Sequence, residues 1–160
     1  MKRFGMAVAA VLAFTGSANA GPWQHDEKDY GHLAWQESKD GKYQLGFMCG
    51  EDADDGAFYI RTSERYEATT SYADAVPTTF ASNGKTLEMS GVFETRAGMV
   101  SVYFDSMSKL ALLYDLIANA KGDIKINFFD KQMSFSSEGS AAALEYAAPG
   151  SPDNCNPWGM

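Results

Sequence analysis

Chemistry in this sequence has few places to come from. They are the string Ser106-Met107-Ser108-Lys109, the histidines His25 and His32, the cysteines Cys49 and Cys155, and the acidic run Glu51-Asp52-Ala53-Asp54-Asp55-Gly56. The first matches S-x-x-K, in which a lysine one helical turn after a serine activates it as a nucleophile. Enzymes built on that pattern also need Ser-Asp-Asn and Lys-Thr-Gly elements; neither occurs, and Gly84-Lys85-Thr86 has the wrong order. Ser106 therefore reads as a helix cap and Lys109 as a solvated charge. A Ser-His-Asp site would have to recruit one of the two histidines into a rigid geometry. His25 falls in a polar segment expected to be mobile and His32 opens a strand, so both read as surface histidines.

The acidic run invites a calcium reading. A calcium loop places oxygen ligands at alternating positions before its glycine and closes with a glutamate about six residues later. Here Ala53 takes one ligand position and Thr62 stands where the glutamate belongs. Glu51, Asp52, Asp54 and Asp55 read instead as a solvated hairpin loop, and as a candidate interaction loop. The expectation is that the chain is no enzyme, has no catalytic residues and takes no cofactor or metal.

The first twenty residues govern the cysteines. Lys2 and Arg3 precede an apolar stretch over residues 4–14, and Ala18 and Ala20 form a small-x-small ending. Those are the three parts of a cleavable secretory signal peptide, residues 1–20, with a single mature domain over 21–160. The apolar run is too short to span a bilayer, which takes about 20 residues. The product is therefore expected in the periplasm or outside the cell, with no stable membrane insertion. Outside the reducing cytoplasm, an even pair of cysteines predicts a Cys49–Cys155 disulfide. It would close a loop of roughly 100 residues, contribute about 4–5 kcal/mol in the chain-entropy model, and pin the tail from residue 149 onward. Cysteine–histidine catalysis then loses its nucleophile.

Charge narrows the partners. The formal charge is −8, and losing Lys2 and Arg3 takes the mature chain to about −10. Such a surface repels phosphate backbones and anionic membranes, so nucleic acid is excluded as a partner. A basic protein partner is electrostatically favoured. Trp23, Trp35 and Trp158, with 8 Tyr and 10 Phe, exceed what a core of this size needs, which divides them between core and recognition surface.

The positioning elements follow from periodicity. Strands are expected over 32–38 and 43–49, the second placing Tyr43, Leu45, Phe47 and Cys49 on one face. Another covers 58–62, with Phe58 and Ile60 on one side. Asn83-Gly84 signals a hairpin. A longer hairpin turns at Arg96-Ala97-Gly98, and its second arm, 99–104, precedes a helix over about 106–121. That helix is carried by Leu110, Leu113, Tyr114 and Ile117, with Leu112 and Leu116 widening the stripe. A strand pair, 124–128 and 133–135, and a short helix over 140–147 complete the chain, with loosely ordered ends at 21–30 and 149–160. The pattern predicts an α+β domain, mainly an antiparallel sheet or flattened β-sandwich. A crossover from 99–104 to 124–129 would make one parallel pair.

In this order of elements, Trp35 lies in the first strand, Cys49 ends the second, and a Val-x-Val strand (Val100, Val102) leads into the amphipathic helix. Gly139-Ser140 then opens an Ala-rich helix before the terminal Cys155. The arrangement resembles small periplasmic proteins of the invasion-associated locus B family and, more distantly, periplasmic accessory proteins of type VI secretion. The resemblance implies a non-enzymatic envelope protein. The functional expectation is an exported protein-binding or accessory factor. The alternatives are a periplasmic inhibitor of a basic, lysozyme-type hydrolase and a hydrolase with an unrecognised carboxylate site.

Overall fold

Side chains alternate across a strand, so the apolar set at Tyr43, Leu45, Phe47 and Cys49 has to find a common core. In the computed structural model all four are buried. The structure describes residues 21–28, 31–50, 56–62, 76–96, 99–104, 107–128, 131–152 and 155. The expected signal peptide, the loop 51–55, Ser106 and Trp158 lie outside the described residues. The elements are β1 (Gln24–Lys28), β2 (Gly31–Glu37), β3 (Tyr43–Gly50), β4 (Ala57–Thr62), β5 (Val76–Ser82), β6 (Lys85–Arg96) and β7 (Met99–Phe104). After them come α1 (Met107–Ala118), β8 (Asp123–Phe128), β9 (Lys131–Ser136) and α2 (Ser140–Ala147).

The strands form one antiparallel sheet in the order β1-β2-β3-β4-β7-β6-β5-β8-β9. Strand β6 joins its two halves. Residues up to Gly91 pair with β5, and from Val92 onward the same strand pairs with β7. This is the expected α+β class with a mainly antiparallel sheet. The expected parallel pair is not formed: β8 pairs antiparallel with β5 and β9, not with β7. The reason is positional. The β5–β6 hairpin already occupies the free side of β7, so the chain returning through α1 meets the next open edge, that of β5. At that hairpin Asn83 (φ 53°) and Gly84 (φ 73°) both adopt the left-handed conformation that a two-residue turn of this hand requires.

Both helices join the core on one side. Leu110, Leu113 and Ile117 of α1, and Ala143, Leu144 and Ala147 of α2, are buried with Phe47, Phe58, Phe80, Phe104, Ile124, Ile126 and Phe135 of the sheet. Each such phenylalanine contributes about 1.5–3 kcal/mol of burial. The rings pack edge-to-face, as at Phe80–Phe104, 5.1 Å between centroids. Leu116 is buried, but Leu112 is 55% exposed and lies outside the stripe it was expected to widen. Helix α1 ends at Ala118, short of 121, and Ser140 at the start of α2 donates from Oγ to the carbonyl of Ile117 (2.9 Å). No helix among the described residues is long and apolar enough to cross a membrane.

One segment departs from expectation more than the rest. Residues 24–28, expected as a loose end, form β1, paired residue for residue with β2 from Gln24↔Trp35 to Lys28↔Gly31. Trp23, just before it, is buried, and its indole Nε1 donates to the carbonyl of Ser136 (2.8 Å). A polar sequence becomes a strand here because β2 offers it a ladder and Trp23 anchors its start.

Candidate functional site

The predicted disulfide is present: Cys49 and Cys155 are bonded across a sequence separation of 106 residues. Cys49 lies opposite His32 in the β2–β3 register, and His32 lies opposite Glu27 in the β1–β2 register. One cross-strand row thus runs Glu27–His32–Cys49, with the staple at its inner end. Helix α2 packs above this row and places Tyr146 there. The His25 ring lies 4.1 Å from the Tyr146 ring centroid, tilted by 32°, and the His32 ring meets it edge-on at 5.5 Å.

Both histidines therefore converge on one tyrosine, which sequence spacing gave no means to foresee. His25 belongs to a strand and not to a loose end. His32 is half-buried, and its Nδ1 is buried with no hydrogen-bond partner among the described residues. Tyr146 remains 40% exposed. Two imidazoles packed on a phenol make a shelf for an aromatic or cationic side chain. Among the described residues no group of three or more His, Cys, Asp or Glu side chains is placed to hold a metal ion.

The other sequence candidates separate. Lys109 is exposed, and its Nζ donates to the carbonyl of Glu88 (2.6 Å), tying α1 to β6. The candidate interaction loop Glu51, Asp52, Asp54 and Asp55 lies outside the described residues, between Gly50 of β3 and Gly56. Gly50, the last residue of β3, is the register partner of Gly31, the first of β2.

The aromatic residues also divide. Trp23 is core. Trp35 is half-buried on the face opposite the helices, in a cross-strand row with Gly46 and Tyr59. A side chain at position 46 would collide with the Tyr59 ring, which explains the glycine. Arg61 sits 5.2 Å from that ring's centroid, and the Tyr59 hydroxyl donates to Gln44 (3.1 Å). Tyr59 is left only 3% exposed, so this row covers itself.

The two edges of the sheet differ. At β9 the carbonyls of Ser134 and Ser136 accept from the Lys39 amide (2.9 Å) and the Trp23 indole (2.8 Å). Beside them Lys39 and Asp123 form an ion pair at 2.7 Å. The hydrogen bond from Lys39 holds the Asp123 carboxyl below its ordinary range, and that from Ser38 does the same for Asp40. Beyond β1, among the described residues, no strand follows. Between the helices, burial first and then the charges of Glu145 and Asp115 push Tyr114 up to about 12. It stays a neutral donor to the Ala148 carbonyl (2.8 Å).

What the arrangement offers is thus a charged strand edge, without a neighbouring strand among the described residues, beside an exposed aromatic shelf and braced by a disulfide. Comparison of the chain with protein-family models, with curated proteins and with solved structures finds no match in any of the three.

Proposed function

We propose that the chain is an exported, non-enzymatic envelope protein that works by binding another protein, as a binding or accessory factor. The observation that carries this reading is the edge of β1, which no strand extends among the described residues, with Tyr146 exposed beside it, in a sheet whose opposite edge has two outer carbonyls bonded by Lys39 and Trp23. Strand edges are what one protein offers another when recognition runs through the main chain. The formal charge of −8 supports a basic partner. The disulfide supports an oxidising compartment such as the periplasm. The likeness in element order to the invasion-associated locus B family agrees with such a role.

The test is capture from periplasmic extract by the oxidised exported chain, followed by mapping of the complex. A single species retained at moderate salt and eluted by high salt supports the reading; retention of nothing specific overturns it. A second version has its own support. The acidic run 51–55 follows Gly50, the register partner of Gly31, and would present carboxylates to the cleft of a lysozyme-type hydrolase. Replacing Asp52, Asp54 and Asp55 with Asn should then slow association with such an enzyme at low salt. An unchanged rate sinks the inhibitor version alone.

A further inference from the structure

An edge strand presents unpaired N–H and C=O groups at alternate residues, and natural sheets cover, break or charge such edges. Here the two edges have different treatments. The edge of β9 is covered by the bonds from Lys39 and Trp23. That of β1 has neither proline nor a bulge: its five residues pair with β2 in unbroken register. The amide of Glu27 turns to the Asp26 side chain (2.9 Å), a bond within the strand itself.

We propose that β1 is a docking edge for an extended, Lys- or Arg-bearing strand of another protein, which adds to the sheet next to Gln24–Lys28. The inference rests on the partner-binding reading above and gives that partner a chemistry. Three observations select the occupant. First, a strand bearing Lys or Arg is a better match than a second copy, because antiparallel self-pairing with full overlap sets Asp26 against Asp26 and offers Glu27 only the imidazole of His25. Second, the helix-side face of β1 asks for a cation. Glu27 shares the helix-side face with His25, while Asp26 lies on the opposite face in register with Leu33. An incoming strand meets the exposed Glu27 carboxylate on the helix side, where a cationic residue fits; on the other face Asp26 already has partners and Lys28 follows it. Third, Tyr146 stands exposed on the helix side against His25, a shelf on which an arginine or aromatic side chain of the added strand would stack. Main-chain bonds would supply the docking, and the charges and the shelf its selectivity.

The test uses the full exported, oxidised chain and three synthetic peptides: alternating lysine–valine, alternating glutamate–valine, and the lysine–valine peptide with proline at its centre. The lysine–valine peptide should slow amide exchange within β1 and bind about tenfold more tightly than either control, since one control reverses the charge and the other removes a main-chain donor. Tyr146→Ser should weaken it several-fold with the fold intact; should that variant not fold, the peptide series decides unaided. Equal binding of the three peptides, or protection confined to residues outside β1, overturns the inference. A captured natural partner whose footprint spares β1 overturns the docking edge and leaves partner binding standing. Peptide docking at β1 with no natural partner recovered supports the edge and removes the broader reading.

Discussion

The two edges of the sheet solve one problem in opposite ways. Strand β9 carries Met133 and Phe135 into the core, so its ladder cannot come and go without cost to the whole domain. Its outer carbonyls are tied to Lys39, in the β2–β3 turn, and to Trp23, ahead of β1. Strand β1 contributes none of its own side chains to the core cluster, and its described edge carries charge, with the Glu27 amide bonded to Asp26. Sealing by hydrogen bonds is permanent, whereas guarding by charge rejects some strands and accepts others. The edge a partner can use is therefore the one that matters least to the core.

The largest expected effect comes from the staple, which serves the β1 side. Replacing Cys49 and Cys155 together with Ala should lower unfolding free energy by up to about 4–5 kcal/mol on the chain-entropy account, read from urea unfolding. Amide exchange should rise more in β1–β3 than in β8–β9. Equal acceleration in both halves would mean that the sheet responds as one body and that the contrast between its edges has no energetic basis. Phe135→Ala tests the other side. A fully buried ring on β9 should cost about 3–5 kcal/mol, and a loss under 1 kcal/mol would remove β9 from the core.

Opening the sealed edge is a smaller change with a distinct signature. Trp23→Phe removes the donor to Ser136 together with part of a buried ring, which should cost about 1 kcal/mol for the bond and a comparable amount for the lost ring atoms. It should also leave β9 prone to concentration-dependent association, visible by light scattering. No association would mean that the Lys39 bond seals the edge by itself. The neighbouring Lys39–Asp123 pair is about half exposed on one side and two-fifths on the other, so Asp123→Asn should cost no more than about 1 kcal/mol. The folded Asp123 carboxyl titrates below its ordinary range, so its stabilisation is full above about pH 4 and fades as pH falls through the folded value. The variant should therefore lose part of the acid sensitivity of the β8–β9 side. An unchanged acid limb would assign that sensitivity to other carboxylates.

How much of this was legible depended on whether the signal was local. The alternation from Tyr43 to Cys49, the Asn83-Gly84 turn and the stripe Leu110, Leu113, Ile117 each lie within one element or one tight turn, and each appears as read. The disulfide needed only a count of cysteines and a compartment. What failed to show was decided between elements. Gln24–Lys28 has no apolar alternation, and only β2 makes it a strand. The place of β8 beside β5 depends on which edge the β5–β6 hairpin leaves open, which no window around residue 124 contains. His25, His32 and Tyr146 meet because α2 folds back across β1 and β2 from more than a hundred residues away. The site was hidden for the same reason that the topology was.

The smallest expected change in stability should make the sharpest test of function. Glu27 is exposed, and its amide bond to Asp26 uses only the backbone of position 27. Glu27→Lys should therefore shift stability by no more than about 0.5 kcal/mol, as surface substitutions do. The same change reverses the charge on the helix-side face of β1, beside His25 and Tyr146. If charge selects what docks there, the variant should lose the lysine–valine peptide and gain the glutamate–valine one, with the exchange footprint still on β1. Loss of both peptides would mean that the carboxylate of Glu27 is itself a required acceptor. Retention of the original preference would move selectivity to Asp26 on the opposite face, where Asp26→Lys would then have to show the reversal. A preference that survives both substitutions would leave charge with no part in guarding this edge, and the contrast with β9 would reduce to hydrogen bonds alone.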